Sequence, residues 1–312
     1  ECKKRAKTNA KEMEILGITE PITIFRPHGC KFCDNTGYNG RIAVHEIMYM
    51  NENMRMAEQY VREAAEQGAK LILFPETAEY TGADMPGHAS AVPGYVSRRF
   101  SSLAKRYGVY LHCGSMTVRR HPGRPSNTSF LFGPDGETIA EYSKIHMFDV
   151  NIPGSVSYEE SREICPGNEI VLADTALGLF GMSICYDIRF PEQYRLMASS
   201  GADAFLIAAD FTKATGEHHW EALLRTRAIE NGCYVLAANQ CGQKARFEAY
   251  GHSMIIAPDG EILAEADDTP QVLIAELDPE VLERTRNEIP SLENRRDDLY
   301  RVSSENVRIY EE

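Results

Sequence analysis

Ser129-Phe130-Leu131-Phe132-Gly133-Pro134-Asp135-Gly136-Glu137 returns near the other end of the chain as Ser253-Met254-Ile255-Ile256-Ala257-Pro258-Asp259-Gly260-Glu261. Each copy is an apolar strand-length run that meets a Pro-Asp-Gly turn, the pattern of a β-hairpin. A weaker echo precedes it, since the helix–Gly–Ala–strand pattern of residues 58–76 recurs over residues 192–210. Two copies of helix, strand, helix, strand and hairpin imply two similar sheets with helices along one face of each. The second face of each sheet needs an apolar cover, and the other sheet supplies it. The expected fold is therefore α/β, a four-layer αββα sandwich in which strand ends distant in sequence converge.

Composition is consistent with that architecture. The chain has 312 residues, of which 43% are hydrophobic, enough for one large domain and a small appendage. A formal charge of −13 argues against a nucleic-acid partner, because displacing counterions from phosphates takes clustered Lys and Arg. The longest apolar runs have strand length, so no membrane span and no membrane partner are expected. The first residues lack a charged-then-apolar signal pattern, and the expected location is cytoplasmic. Eight cysteines, mostly single within strand-like runs, read as reduced thiols; Cys113, Cys165, Cys233 and Cys241 are assigned to packing or loops.

Working outward from the hairpins, residues 53–68 read as a helix with Met54, Ala57, Val61 and Ala64 or Ala65 on one face and a Gly stop. Residues 95–107 read as a second helix, 109–115 as a strand and 127–142 as the first hairpin. Residues 148–168 are too long for a plain connector.

Chemistry collects at three strand ends. Leu179-Phe180-Gly181-Met182-Ser183-Ile184-Cys185 is an apolar run that stops on a thiol, followed by Tyr186-Asp187-Ile188-Arg189-Phe190-Pro191-Glu192. Leu71-Ile72-Leu73-Phe74-Pro75-Glu76 stops on a carboxylate, and Thr138-Ile139-Ala140-Glu141-Tyr142-Ser143-Lys144 on an ammonium. A cation promotes a thiolate and a carboxylate can act as its base, so Lys144 and Glu76 would activate Cys185. Attack on an amide carbon makes an oxyanion, for which the Lys144 ammonium and the Tyr186 backbone N–H are the donors. Glu76 would pass its proton to the leaving ammonia. Glu160, in the long loop, could hold water or orient Lys144.

Phe74-Pro75-Glu76, Tyr142-Ser143-Lys144-Ile145-His146-Met147-Phe148-Asp149 and the run from Gly181 to Glu192 resemble the three signatures of the nitrilase superfamily of carbon–nitrogen hydrolases. Ile152-Pro153-Gly154 with Glu160-Ser161, Thr215-Gly216-Glu217-His218-His219-Trp220 and Tyr250-Gly251-His252-Ser253 resemble its Nit-type amidases. The resemblance, over residues 53–300, implies the αββα fold and a Glu76–Lys144–Cys185 triad with Glu160 as second glutamate. It also implies a small-molecule substrate, the ω-amide of a 2-oxo acid or deaminated glutathione, cleaved through a cysteine thioester. No cofactor is implied for catalysis, and a homodimer or larger homo-oligomer is.

Several residues carry two readings. Arg189 could clamp a substrate carboxylate or pair with a structural acid. His146, His219 and His252 would suit a Cys–His hydrolase, yet each is as easily a hydrogen-bonded core residue. Trp220 is core or pocket wall, and Tyr80, Phe211 and His219 join Arg189 and Trp220 as pocket candidates.

The first fifty residues differ in texture. Residues 1–17 are basic and helix-prone, and Ile22-Thr23-Ile24-Phe25 is a short strand. Cys30-Lys31-Phe32-Cys33 sits in a glycine-rich turn, one knuckle of a structural zinc site to which Cys2 could add a thiolate. The stretch resembles the C-terminal zinc-binding segment of the secretion and pilus-assembly ATPases, without any phosphate-binding loop in the chain. The expected division is an appendage over residues 1–40 and a hydrolase domain over 41–312, with residues 41–47 as the first strand. A catalytically impaired scaffold or zinc-linked interaction module is the competing reading.

Overall fold

The computed structural model describes residues 3–7, 13, 19–21, 23–27, 45–151 and 157–312. It divides into two compact units, Glu1–Met54 and Arg55–Glu312. In the first unit β1 (Lys3–Lys7) pairs antiparallel with β2 (Thr23–Pro27), from Lys3 opposite Pro27 to Lys7 opposite Thr23. The basic run expected to be helical is thus a strand at its start, where β2 supplies partners for its backbone groups. Cys2, Cys30 and Cys33 lie outside the described residues, as do residues 41–44. Among the described residues no group of three or more His, Cys, Asp or Glu side chains is placed to hold a metal ion.

The strand expected over residues 41–47 does not extend through its second half. His45, Glu46 and Ile47 open α1 (His45–Glu66). Glu, Met, Gln and Ala dominate this run without a Gly or Pro, so helix propensity outweighs the short alternation of apolar residues before it. Ala57, Val61 and Ala64 face inward, and Gly68, at φ +90°, carries the chain out of the helix.

The second unit holds two large sheets. In the first, β3 (Leu71–Leu73) runs parallel to β4 (Tyr110–His112), and β4 pairs antiparallel with β6 (Ser126–Phe132). β5 (Met116–Val118) extends the same edge of β6, and β7 (Thr138–Ser143) forms the hairpin on its other edge. Helix α2 (Tyr95–Tyr107) precedes β4 and ends on Gly108 in the left-handed region.

The second sheet is built from β10 (Ile170–Thr175), β11 (Gly178–Ile184), β12 (Ala204–Ala209), β13 (Tyr234–Asn239), β16 (Met254–Ile256), β17 (Ile262–Glu265) and β18 (Val307–Glu311), in the order β17-β16-β13-β12-β11-β10-β18. β11, β12 and β13 are parallel, with α3 (Pro191–Ser199) and α4 (Lys213–Asn231) as their crossovers. Such strands are buried on both faces, which explains their unbroken apolar sequence. On one face Phe180, Leu206 and Tyr234 form a cluster against which Leu71 and Leu73 of the first sheet pack. On the other, Tyr194 of α3 sets its ring edge-on to Phe205 at 5.0 Å and bonds Ser183 through its hydroxyl at 2.7 Å. The helix lies so close that a Cβ on Gly181 would fall 2.6 Å from the Met197 sulfur. The αββα sandwich read from the repeat is the observed fold.

Residues 148–168 hold a small hairpin, β8 (Asp149–Asn151) with β9 (Ser157–Glu159), followed by a 3-10 turn at Glu160–Arg162. Helix α5 (Pro279–Glu288) is capped by the Asp278 carboxylate, which accepts from the Glu280 N–H. No described helix is long and apolar enough to cross a membrane.

Candidate active site

Glu76 lies where the two sheets meet. β3 stops at Leu73, but Phe74 still donates to His112 O of the first sheet, and two residues later Glu76 N donates to Ala209 O of the second. Its carboxylate is buried and divided between partners. Oε1 accepts from Asn127 Nδ2 at 2.8 Å and Lys144 Nζ at 3.1 Å; Oε2 accepts from the Asp210 N–H at 2.9 Å. Lys144 follows β7 directly, and its main chain is tied to Asn127 O and the Gly167 N–H. Its ammonium, 2% exposed, also donates to Glu160 Oε2 at 2.9 Å. Glu160 heads the 3-10 turn and accepts the Phe148 N–H at 2.7 Å, so the long loop is anchored by the acid it carries.

Cys185 is the first residue after β11, at φ +48°. A side chain is strained in that region, and the strain ends the strand on a sharp elbow with the sulfur at the cavity wall. Asp187, fully buried two residues on, holds the elbow. Its Oδ2 accepts from Ile184 N and Tyr142 OH, and its Oδ1 from the N–H and Nδ1 of His146. One carboxylate thereby ties the strand that delivers Cys185 to the segment that delivers Lys144.

The electrostatics depart from the expectation that Lys144 populates the thiolate. Burial opposes the charge on Lys144, but Glu160 and Glu76 outweigh it and hold the ammonium well above its usual pKa. Two carboxylates surround one ammonium, leaving the cluster negative overall. Burial first and then Glu76 push the Cys185 thiol well above its ordinary range, against the opposing pull of Lys144. A thiol held above its ordinary range needs a base to take its proton as it attacks. Glu160 is itself raised by burial and by Glu76, with Lys144 opposing.

A cavity of about 270 Å³ opens above these groups, with Glu76, Lys144, Glu160 and Cys185 in its floor. Tyr186 and Phe211 line it as walls, while Tyr80, Arg189, His219 and Trp220 do not. Tyr80 is stacked on His88 at 3.8 Å. Arg189 meets no acid among the described ion pairs; its guanidinium lies 5.0 Å from the Phe211 ring centre and contacts His219 Nδ1 at 3.2 Å. Trp220 is fully buried, backs Phe211 at 5.0 Å and donates to His252 O. The histidines give no support to a Cys–His pair, since His146 is held by Asp187 and His252 contacts Glu265.

Sequence reading passed over four polar residues of this cavity. Asn127 begins the first hairpin, with no local sign that it would reach Glu76. Lys244 and Arg246 lie in the turn between β14 (Cys241–Gln243) and β15 (Glu248–Tyr250), where charge reads as solvated surface. Arg246 lies over the Tyr158 ring at 4.6 Å and donates to Ala83 O and Glu163. Asp210 follows β12 directly, and the strand-end rule that found Glu76 reaches it too, since it closes the second copy of the repeat as Glu76 closes the first.

Residues 45–287 match the family model for carbon-nitrogen hydrolases. The chain belongs to the carbon–nitrogen hydrolase family. This hydrolase is 39% identical over 253 residues to the deaminated glutathione amidase of Synechocystis, covering 79% of this chain and 93% of that protein. It is 37% identical over 255 residues to the omega-amidase NIT2 of Xenopus tropicalis, covering 81% and 92%. Among solved structures it is similar to Saccharomyces cerevisiae Nit3, a member of branch 10 of the nitrilase superfamily. The TM-score is 0.72 and the identity 32%, over 79% of this chain and 91% of that one. As a carbon–nitrogen hydrolase the protein is an enzyme, and the fold read from its repeat is the fold of its relatives.

Proposed function

We propose that the protein hydrolyses small linear amides whose acyl chain ends in a carboxylate, the ω-amides of 2-oxo acids or deaminated glutathione, through a thioester on Cys185. The observation that carries this reading is the sealed group at the meeting of the sheets, where Glu76 and Glu160 grip one ammonium beside an elbow cysteine. Glu76 takes the Cys185 proton as sulfur bonds to the amide carbon. Lys144 Nζ has three N–H donors; Glu76 and Glu160 each receive one, and the third meets the oxyanion together with the Tyr186 N–H. Collapse breaks the C–N bond and Glu76 protonates the leaving nitrogen. Water, deprotonated by Glu76, then attacks the thioester and regenerates thiol and carboxylic acid.

Nucleophile, base and charge stabiliser all come from side chains, so the chemistry uses no cofactor. The cationic rim supports the carboxylate preference: Lys244 spends one donor on Gln240 Oε1, 2.8 Å away, and lines the cavity. Lys244 fits that role better than Arg189, which lies behind Phe211. A competent site of this kind favours the enzyme over the scaffold reading. The proposal extends to a cytoplasmic location and to a homo-oligomer, the latter supported by exposed Ile229, Ile289, Leu299 and Tyr300, and sedimentation of the purified protein tests the assembly.

Replacing Cys185 with Ala should abolish ammonia release from ω-amides and leave circular dichroism unchanged, since the change removes little volume. Parent protein incubated with substrate and acid-quenched should carry the acyl mass on the peptide containing Cys185. Turnover that survives in Cys185→Ala, or an acyl group found elsewhere, would remove the thioester from the mechanism.

A further inference from the structure

Among the described residues, Asp210 is the one acid of the cavity that the proposed reaction leaves unused. It directly follows β12, and its own N–H is fixed on Glu76 Oε2 at 2.9 Å. Asp210 lines the same cavity as Cys185 and Lys144, and its Oδ1 is buried with no hydrogen-bond partner among the described residues. A carboxyl oxygen closed off in this way is costly unless a ligand satisfies it.

The partners of Glu76 indicate what that ligand offers. Lys144 sits on the Oε1 side of the Glu76 carboxylate and Asp210 on the Oε2 side. The carbonyl oxygen of a bound amide goes to Lys144, so its nitrogen, which must reach Glu76 to be protonated, faces the Asp210 side. A primary amide brings two N–H groups there, and Glu76 has use for one. An N-substituted amide brings one N–H, and its substituent fills the remaining direction.

We propose that Asp210 determines specificity by accepting the second N–H of the scissile amide, so that the enzyme selects primary amides and releases ammonia. The inference rests on the amidase reading and sharpens it toward the ω-amides over peptide-like substrates such as deaminated glutathione. A carboxyl oxygen accepts in either protonation state. Burial and then the Glu76 charge raise Asp210 to a pKa of about 7 against the opposing Lys244 and Lys144, so both states occur near neutrality. A site built around a substrate N–H rejects the analogue lacking it, because its own polar group is then left unpaired.

The test compares kcat/KM for the primary ω-amide of a five-carbon 2-oxo dicarboxylic acid with that for its N-methyl counterpart. Parent enzyme should favour the primary amide by roughly tenfold to a hundredfold, the range for one hydrogen bond to a charged group. Asp210→Ala should bring the ratio close to one by slowing the primary amide, whereas Asp210→Asn, which keeps an acceptor oxygen, should hold most of it. A parent ratio near one overturns the inference even if a variant fails to fold, and so does an equal loss on both substrates in Asp210→Ala. Parent enzyme that hydrolyses neither amide overturns the ω-amide part of the proposed function and the inference with it, so the two failures are distinguishable.

Discussion

Glu76 and Asp210 are the acids that close the two copies of the repeat, each after a parallel strand, and they end in opposite situations. Glu76 is gripped by Lys144, Asn127 and the Asp210 backbone, whereas the Asp210 side chain keeps an oxygen with no partner. The hairpins repeat the contrast. In both, a residue before the turn donates to the glutamate after it, Gly133 N to Glu137 O at 2.9 Å and Ala257 N to Glu261 O at 2.8 Å. Both turn aspartates accept from that glutamate's N–H, and both ladders slip register at the same step. The first hairpin delivers Lys144 into a buried cluster. The second leads to Asp268, which is exposed. Identical local structure is therefore neutral as to chemistry, and what each strand end meets across the sandwich decides its role.

The sharpest way to break this comparison is to neutralise both hairpin ends. Lys144→Gln should lower kcat and kcat/KM together by roughly a hundredfold or more, because the charge it stabilises develops only in the transition state. Asp268→Asn, the matching change, should alter neither by more than about twofold. Parental single-turnover acylation in Lys144→Gln would take Lys144 out of the mechanism.

Stability against pH separates two buried acids, Asp210 and, in the first half, Glu79. Burial raises Asp210 to about 7 and Glu79 to about 8. Each binds its proton more tightly folded than unfolded, so its contribution is complete below the unfolded pKa near 4 and is lost as pH rises through the folded value. His112, lowered to about 3 by burial, contributes in the opposite direction only below about pH 6.5. Unfolding free energy from urea titrations should therefore fall from about pH 4 to about pH 8, more steeply above about pH 6.5, where His112 no longer opposes. Asp210→Asn should flatten the decline below about pH 7 and leave the part between about 7 and 8, which belongs to Glu79; an unchanged slope would show that Asp210 is ionised throughout.

The smallest effect compares the turn glycines, both of which adopt positive φ, +87° at Gly136 and +91° at Gly260. Alanine should cost about 1–2 kcal/mol at either for the left-handed backbone. At Gly136 the new Cβ would also lie 2.9 Å from Ser101 O, which is backbone, while at Gly260 it meets the tip of the Ile229 side chain, half exposed and free to swing. Thermal melting should rank Gly136→Ala below Gly260→Ala, and the reverse order would mean that the first turn relaxes more easily than its packing implies.

The sequence by itself determined the two-sheet sandwich, because the repeated hairpin and its preceding strands each leave an apolar face that only a second sheet covers. It also singled out Glu76, Lys144 and Cys185, since charged or nucleophilic residues stand out where an apolar strand stops, and Glu160 through its place in an over-long loop and the family resemblance. Its readings failed where local preferences compete: Lys3–Lys7 pairs as a strand rather than a helix, and His45–Ile47 opens a helix rather than closing a strand. Tertiary structure alone decided that Lys144 is shared between two carboxylates and that burial and Glu76 raise the Cys185 thiol against the pull of Lys144. It also decided that Asp187 joins the Cys185 elbow to the Lys144 segment and that Asp210, a residue of the cavity lining, keeps a buried oxygen unsatisfied. Each of these depends on distances between residues far apart in the chain and on the loss of water around them. Side-chain periodicity records which residues are buried, and it carries no record of which charges burial brings together.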